Sequence, residues 1–244
     1  MKNFQPVLKR ELMGYFNSPV AYVFMVIFLV ATMGCTFYLG AFYERMQADL
    51  SAFFMWHPWL YLFLIPAVGM RLWAEERKSG TIELLFTLPI SLPVAVLAKF
   101  AAGWIFIGVS LVLTLPIALT CGWLGSPDWG VIVASYLGSF LMAGAYLSVA
   151  SLTSAFTKNQ VISFVLSVMI CFVLVLTGLG VFSSQLVSVL PVFVVDFIGM
   201  FSFSTHFQSL QRGVVDLRDV VFFISMIVTF LMANMVVLEH KKHQ

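Results

Sequence analysis

Six stretches of this sequence run for about twenty residues or more with almost no charge, each long enough to cross the hydrocarbon core of a bilayer as a helix. They cover residues 19–42, 53–73, 94–124, 131–156, 161–182 and 217–238. A water-soluble fold cannot hide so many of them. With 61% of residues hydrophobic and 10% charged, too few polar groups remain to clothe its surface. The mean hydropathy of +1.01 agrees. The solvent is lipid. No stretch alternates with the period of two that a barrel strand needs, so the fold class is an all-α membrane protein with six transmembrane helices. The third stretch is the longest, and Pro116 inside it predicts a kink.

Basic residues orient such a chain, because loops rich in Lys and Arg stay in the cytoplasm. With the N-terminus inside, the inner set is Lys2, Lys9, Arg10, Arg71, Arg77, Lys78, Lys99, Lys158, Lys241 and Lys242. The outer set is Arg45, Arg212 and Arg218. Ten against three predicts a multi-pass membrane protein with both termini cytoplasmic, and a bacterial inner membrane is the expected location. The first stretch is too long for the apolar core of a secretion signal, so a retained helix is expected. Thr32-Met33-Gly34-Cys35 lacks the aliphatic residue of a lipoprotein box. A net charge of only +2, with basic residues in small groups, gives no reason to expect nucleic-acid binding.

Three segments outside the main spans carry pattern. In residues 4–16, Phe4, Val7, Leu8, Leu12, Tyr15 and Phe16 recur at helical spacing, while Gln5, Lys9 and Arg10 fall opposite. This predicts an N-terminal amphipathic helix in the headgroup plane (residues 1–18 as a unit, ahead of a bundle from 19 to 244), with Lys9, Arg10 and Glu11 as its polar candidates. Asn17-Ser18-Pro19 ends it. The connection after the second stretch holds a charged cluster, Glu75, Glu76, Arg77 and Lys78, then Gly80 as a turn and Thr81 as a helix cap. Glu83 sits in the next helix's first turn, and Leu84, Leu85 and Leu88 make an apolar patch. A short rigid helix over 75–88 is expected on the cytoplasmic face. A mere connector would need neither cap nor leucines. Residues 186–210 are apolar but contain Pro191, Asp196 and Gly199, and a seventh crossing would put Lys241 outside. Short re-entrant or interfacial helices fit better.

Other features weigh less. Ala134, Gly138, Ser139, Ala143, Gly144 and Ser148 place small side chains at four-residue steps, which lets helices approach closely in lipid. Packing within the bundle is favoured over a contact between copies. His57 and Asp196 lie close enough to the outer interface to be hydrated, which weakens a proton-coupled carrier. Cys35, Cys121 and Cys171 sit far apart in apolar runs, so no metal set or disulfide framework follows. There is no G-x-x-x-x-G-K-[ST] loop and no H-E-x-x-H, so the chain holds no nucleotide or metal by those means.

The run Glu76-Arg77-Lys78-Ser79-Gly80-Thr81-Ile82-Glu83-Leu84-Leu85, followed by Thr87-Leu88-Pro89, resembles the signature of ABC-2 type permeases. Within them the chain looks most like the gliding-motility-associated GldF and NosY-like group, through the stretch from Phe203 to Val220 that leads into the last span. The resemblance implies a non-catalytic subunit that pairs as a homodimer or with a second permease. It also implies a dimer of cytosolic ATPase subunits carrying the ATP and Mg, and a possible auxiliary envelope subunit. The ATPase interface would fall on Glu75, Glu76, Arg77, Lys78, Gly80, Thr81, Glu83, Leu84 and Leu85. Asp196, His206 and Arg212 become candidates for an external gate. Export or envelope remodelling is then the expected function, with an ATP-independent channel or secondary carrier as the alternative.

Overall fold

The computed structural model describes residues 4–82, 91–180 and 191–242, and every regular element among them is helical. In chain order these are α1 (Phe4–Phe16), α2 (Pro19–Gly34), α3 (Ser51–Phe54), α4 (His57–Gly69), α5 (Arg71–Ser79), α6 (Leu92–Val112), α7 (Leu115–Leu124), α8 (Trp129–Phe156), α9 (Gln160–Leu176), α10 (Val192–Gly199), α11 (Phe203–Gln211) and α12 (Leu217–Lys242). A π-helical turn, Cys35–Leu39, prolongs α2. Ser18 is extended and Pro19 opens α2, so α1 stops where the sequence places the break.

Four described stretches are long and apolar enough to cross a membrane: Pro19–Leu39, Leu92–Leu124, Trp129–Phe156 and Leu217–Lys241. They correspond to the first, third, fourth and sixth expected crossings. The second is a relay of α3, α4 and α5 instead of one cylinder. Pro58, in the first turn of α4, lacks the N–H that a continuous ladder from α3 requires, while α4 runs unbroken through Pro66 and gives way at Met70. The fifth is α9, apolar but only 17 residues long, and the expected end of its span at 181–182 lies outside the described residues. The long third stretch breaks at Leu113–Thr114, just before Pro116, which stands in the first turn of α7.

The core is built around α8. Its small residues receive neighbours from the same chain. A Cβ at Gly138 would lie 2.8 Å from the Leu210 Cβ of α11, and one at Gly144 would lie 2.9 Å from Trp104 of α6 and from Ile227 of α12. Across from Ala150, Gly69 of α4 has no room for a Cβ either. Side-chain hydrogen bonds fix the same contacts where lipid offers no hydrophobic drive between helices. Asn234 of α12 donates to Ser151 Oγ at 2.6 Å, Tyr146 donates to the Pro58 carbonyl at 2.9 Å, and Tyr61 and Ser139 share a bond of 2.7 Å. The outward faces of α2 (Val23, Val26, Val30) and α9 (Val161, Met169, Val173) stay apolar and exposed, surfaces that only lipid or another apolar surface covers without cost.

One expectation fails here. His57 is fully buried, not hydrated. Its ring stacks on Tyr61 at 5.3 Å, edges onto Phe53 and Phe54, and sets Nδ1 3.4 Å from Ser139 Oγ. Phe28 of α2 and Ser139 of α8 cover it from other helices, which the linear hydropathy pattern does not reveal.

Candidate functional site

The charged residues flagged on α1 and α5 converge on a residue that sequence reasoning used only to set topology. Lys99 lies on α6 within an apolar run, and its side chain is 4% exposed. Its Nζ stands 2.9 Å from Glu11 Oε2 of α1 and 2.8 Å from Glu76 Oε1 of α5. The same ammonium sits 5.4 Å over the Trp73 ring, a cation–π contact with one more desolvated wall. Arg10 adds an outer link to Glu11 at 2.7 Å, from a side chain that is mostly in solvent. The order is Arg10, Glu11, Lys99, Glu76: charges of alternating sign that tie three helices together. A lone buried lysine would be costly, whereas one shared by two carboxylates is tolerated.

Packing sets this geometry. The apolar face of α1 lies on α6, with Tyr15 stacked on Phe106 at 5.2 Å and Phe16 edge-on to the same ring at 5.8 Å. Val7 is buried, while Gln5, Lys9 and Arg10 are exposed, as the helical spacing predicts. Glu11 turns inward at the boundary of the two faces. Burial pushes the Glu11 carboxyl up, but Lys99 and Arg10 together outweigh it, and the group ends below its ordinary 4.5. The Arg10 guanidinium is held above its ordinary value, chiefly by its bond to Glu11.

Two further anchors hold α5. A helix leaves its first four N–H groups without partners. Here Ser154 of α8 accepts from Trp73 N at 3.0 Å and Ala74 N at 2.9 Å, and donates to the Met70 carbonyl at 2.8 Å. Arg77 reaches the Ala155 carbonyl at 2.7 Å, and Lys241 of α12 meets the same oxygen at 3.2 Å and Phe156 O at 2.8 Å. Two cations thus cap the carbonyl end of α8, where the helix dipole favours them.

Beyond these anchors α5 is free on one side. Glu75, Lys78, Ser79, Gly80 and Thr81 are exposed, with Glu75 held by Arg71 at 2.9 Å one turn back. Gly80 ends the helix at φ +74°, a conformation that side chains resist. The Thr81 hydroxyl turns back, 2.9 Å from Ser79 Oγ and 3.4 Å from the Glu76 carbonyl. Glu83, Leu84 and Leu85 lie outside the described residues.

At the opposite end of the bundle only one of the three external candidates joins a network. His206 of α11 places Nδ1 2.6 Å from Asp219 of α12 and Nε2 3.0 Å from the Met200 carbonyl, with its ring stacked on Phe222 at 3.9 Å. Asp196 and Arg212 are exposed and are not brought to it. Residues 186–190 of that segment lie outside the described residues. No group of three or more metal-ligating side chains occurs among the described residues.

The model of one family, described as an ABC-2 family transporter protein, matches residues 8–178. The chain belongs to the ABC-2 transporter family. No curated protein matches the sequence. The matched part of this ABC-2 protein holds Glu11, Glu76, Lys99 and Ser154, while His206 and Asp219 fall beyond it. Lys99, Ser154 and Lys241 escaped the sequence reading as site residues. For Lys99 a signal existed: an ionisable side chain five residues into an apolar span needs a partner.

Proposed function

We propose that this chain is the permease subunit of an ATP-driven ABC-2 type transporter, coupling a separate cytosolic ATPase to export or to remodelling of the envelope. The observation that carries the reading is the Lys99 node. It joins α1 and α5, the two elements nearest the exposed end at Glu75–Thr81, to α6, which is part of the longest apolar stretch. A push on the end of α5 cannot be absorbed locally, because Ser154 and Arg77 fasten the helix to α8 and Lys99 fastens it to α6. The displacement passes to the long helices as rigid-body tilt.

In this reading six crossings are counted, the relay α3–α5 and the helix α9 serving as the second and fifth. Both termini face the cytoplasm of a bacterial inner membrane. The exposed end of α5, with Lys9 and Arg10 of α1 beside it, is the ATPase surface. Two permeases pair, as a homodimer or with a second permease, over two ATPase subunits that carry the ATP and Mg. By motif the chain resembles the GldF and NosY-like group, and an auxiliary envelope subunit fits that resemblance. His206 and Asp219 latch the external segment.

The test uses the native complex. The tagged chain is purified in mild detergent with whatever P-loop ATPase accompanies it, and ATP hydrolysis is measured in proteoliposomes. Gly80→Pro puts a residue fixed near φ −65° where φ is +74°, and should uncouple or shed the ATPase while the permease still inserts. Glu83→Lys is expected to do the same. A chain that purifies without any ATPase, or a Gly80→Pro complex with unchanged hydrolysis, would overturn the proposal.

A further inference from the structure

A cavity of about 310 Å³ lies between α1, α2 and α5, near the lower end of the usual range for ligand pockets. Its two ends differ in chemistry. Glu11, Arg71, Glu75, Glu76 and Lys99 line one end, and Phe24, Ala67, Val68 and Phe106 line the other. Glu75 and Ala67 are separated by roughly 12 Å of helix, and Lys99 and Phe106 by about 10 Å, at 1.5 Å per residue. The apolar end continues through Phe24, Val68 and Phe106 into a narrow slot that reaches Ser110. The space has the shape of an amphiphile, with a charged mouth and a greasy tail.

The charges narrow the occupant. Three carboxylates and two cations line the space, and Arg10, just outside it, balances Glu11, so the set is neutral and suits a zwitterion better than a net charge. Lys99 already serves Glu11 and Glu76, yet Glu76 Oε2 is buried and receives no hydrogen bond. Among the described residues Arg71 is bound only to the exposed Glu75, so its guanidinium can turn to an incoming anion. A ligand with phosphate alone would satisfy Arg71 and leave the carboxylates unanswered. A ligand that carries both a phosphate and an ammonium answers both.

We propose that the cavity is a binding site for a phospholipid with a primary amine in its headgroup, of the phosphatidylethanolamine type. Its phosphate pairs with Arg71, its ammonium lies between Glu75 and Glu76, and the start of one acyl chain runs over Phe24, Val68 and Phe106. The rest of the lipid remains in the bilayer, since the cavity is too small to enclose it. The occupant lies against Gly14 of α1, where nothing is found within 4 Å of the place a Cβ would take. Lipid there wedges α1 beside the Lys99 node and makes the node sensitive to headgroup composition. The inference rests on the membrane-embedded reading above.

The test needs only the full chain, without an ATPase. The protein is reconstituted in nanodiscs of mixed phosphatidylethanolamine and phosphatidylglycerol, released, and weighed by native mass spectrometry. One retained lipid per chain is expected, with the amine lipid preferred. Gly14→Leu fills the empty space with a better helix former and should cut retention about tenfold, the equivalent of roughly 1.4 kcal/mol. Arg71→Gln should weaken both lipids, whereas Glu75→Gln should erode the preference between them. A photoreactive phosphatidylethanolamine should label residues 14–24 of the unmodified chain, which needs no variant to fold. Equal retention of the two lipids, undiminished retention in Gly14→Leu, labelling only elsewhere, or a detergent or a second copy's N-terminus in the cavity would each overturn the proposal. Such a failure leaves the Gly80→Pro result untouched, and loss of coupling in Gly80→Pro leaves lipid retention untouched.

Discussion

The two ends of the bundle solve the problem of charge near lipid in different ways. At the Lys99 end, ionic contacts cross between α1, α5 and α6, and Arg77 and Lys241 close the carbonyl end of α8. At the His206 end, one ionisable pair with Asp219 joins α11 to α12, and the rest of the hold is neutral: Phe203, Phe207 and Leu210 are buried, and Gln211 Nε2 donates to the Ser51 carbonyl at 2.9 Å. The first arrangement makes three helices move as one piece. The second rests on packing, with one charged pair at its margin.

The comparison breaks most readily at its stiff end. Lys99→Met leaves Glu11 and Glu76 facing each other without their cation, a loss of about 3–5 kcal/mol for a broken buried pair. Hydrogen exchange should show α1 released from α6 while α11 stays protected. Equal loosening at both ends would mean that the bundle has no separate stiff region. Acidification acts on the same contact in the same sense. Because the folded Glu11 lies below 4.5 and the unfolded carboxyl does not, its contribution is complete above about pH 4.5 and disappears as pH falls through the folded value. Docking of α1, followed by Trp73 fluorescence, should therefore persist at pH 5 and fail only in stronger acid.

Smaller perturbations sharpen the contrast. Ser154→Ala strands the Trp73 and Ala74 N–H groups and should cost about 1–3 kcal/mol in thermal unfolding in detergent. Asp219→Asn, at the packed end, should cost about 1 kcal/mol while α11 stays protected from exchange, because Phe203, Phe207 and Leu210 keep it seated. A larger loss there than from Ser154→Ala would mean that charge, not packing, holds that end. Arg10→Gln should change stability by less than about 0.5 kcal/mol, since that side chain is 56% exposed and screened by salt.

Much of this was legible along the chain. The break at Asn17–Ser18–Pro19, the burial of Val7 with exposure of Lys9 and Arg10, and the interruption before Pro116 all follow from local pattern. The intramolecular role of Gly138 and Gly144 was also the favoured reading. The relay of α3, α4 and α5 was not anticipated, although Pro58 stood in view, because averaged hydropathy ignores a missing N–H group. His57 misled for a related reason: its distance along the chain from a polar loop says nothing about which helix folds over it.

What the sequence determined by itself was the solvent, the helical class and the faces of each helix, since those depend on composition and a period of 3.6 residues. It also carried the family, through a run of residues read in order. Which charges meet was decided only by tertiary packing. Glu11, Glu76 and Lys99 are 65 and 23 residues apart in turn, and no local rule relates them. They share one ion cluster because the stacking of Tyr15 on Phe106 and the bonds from Ser154 to α5 bring three helix surfaces to the same buried spot, where an unpaired charge could not remain.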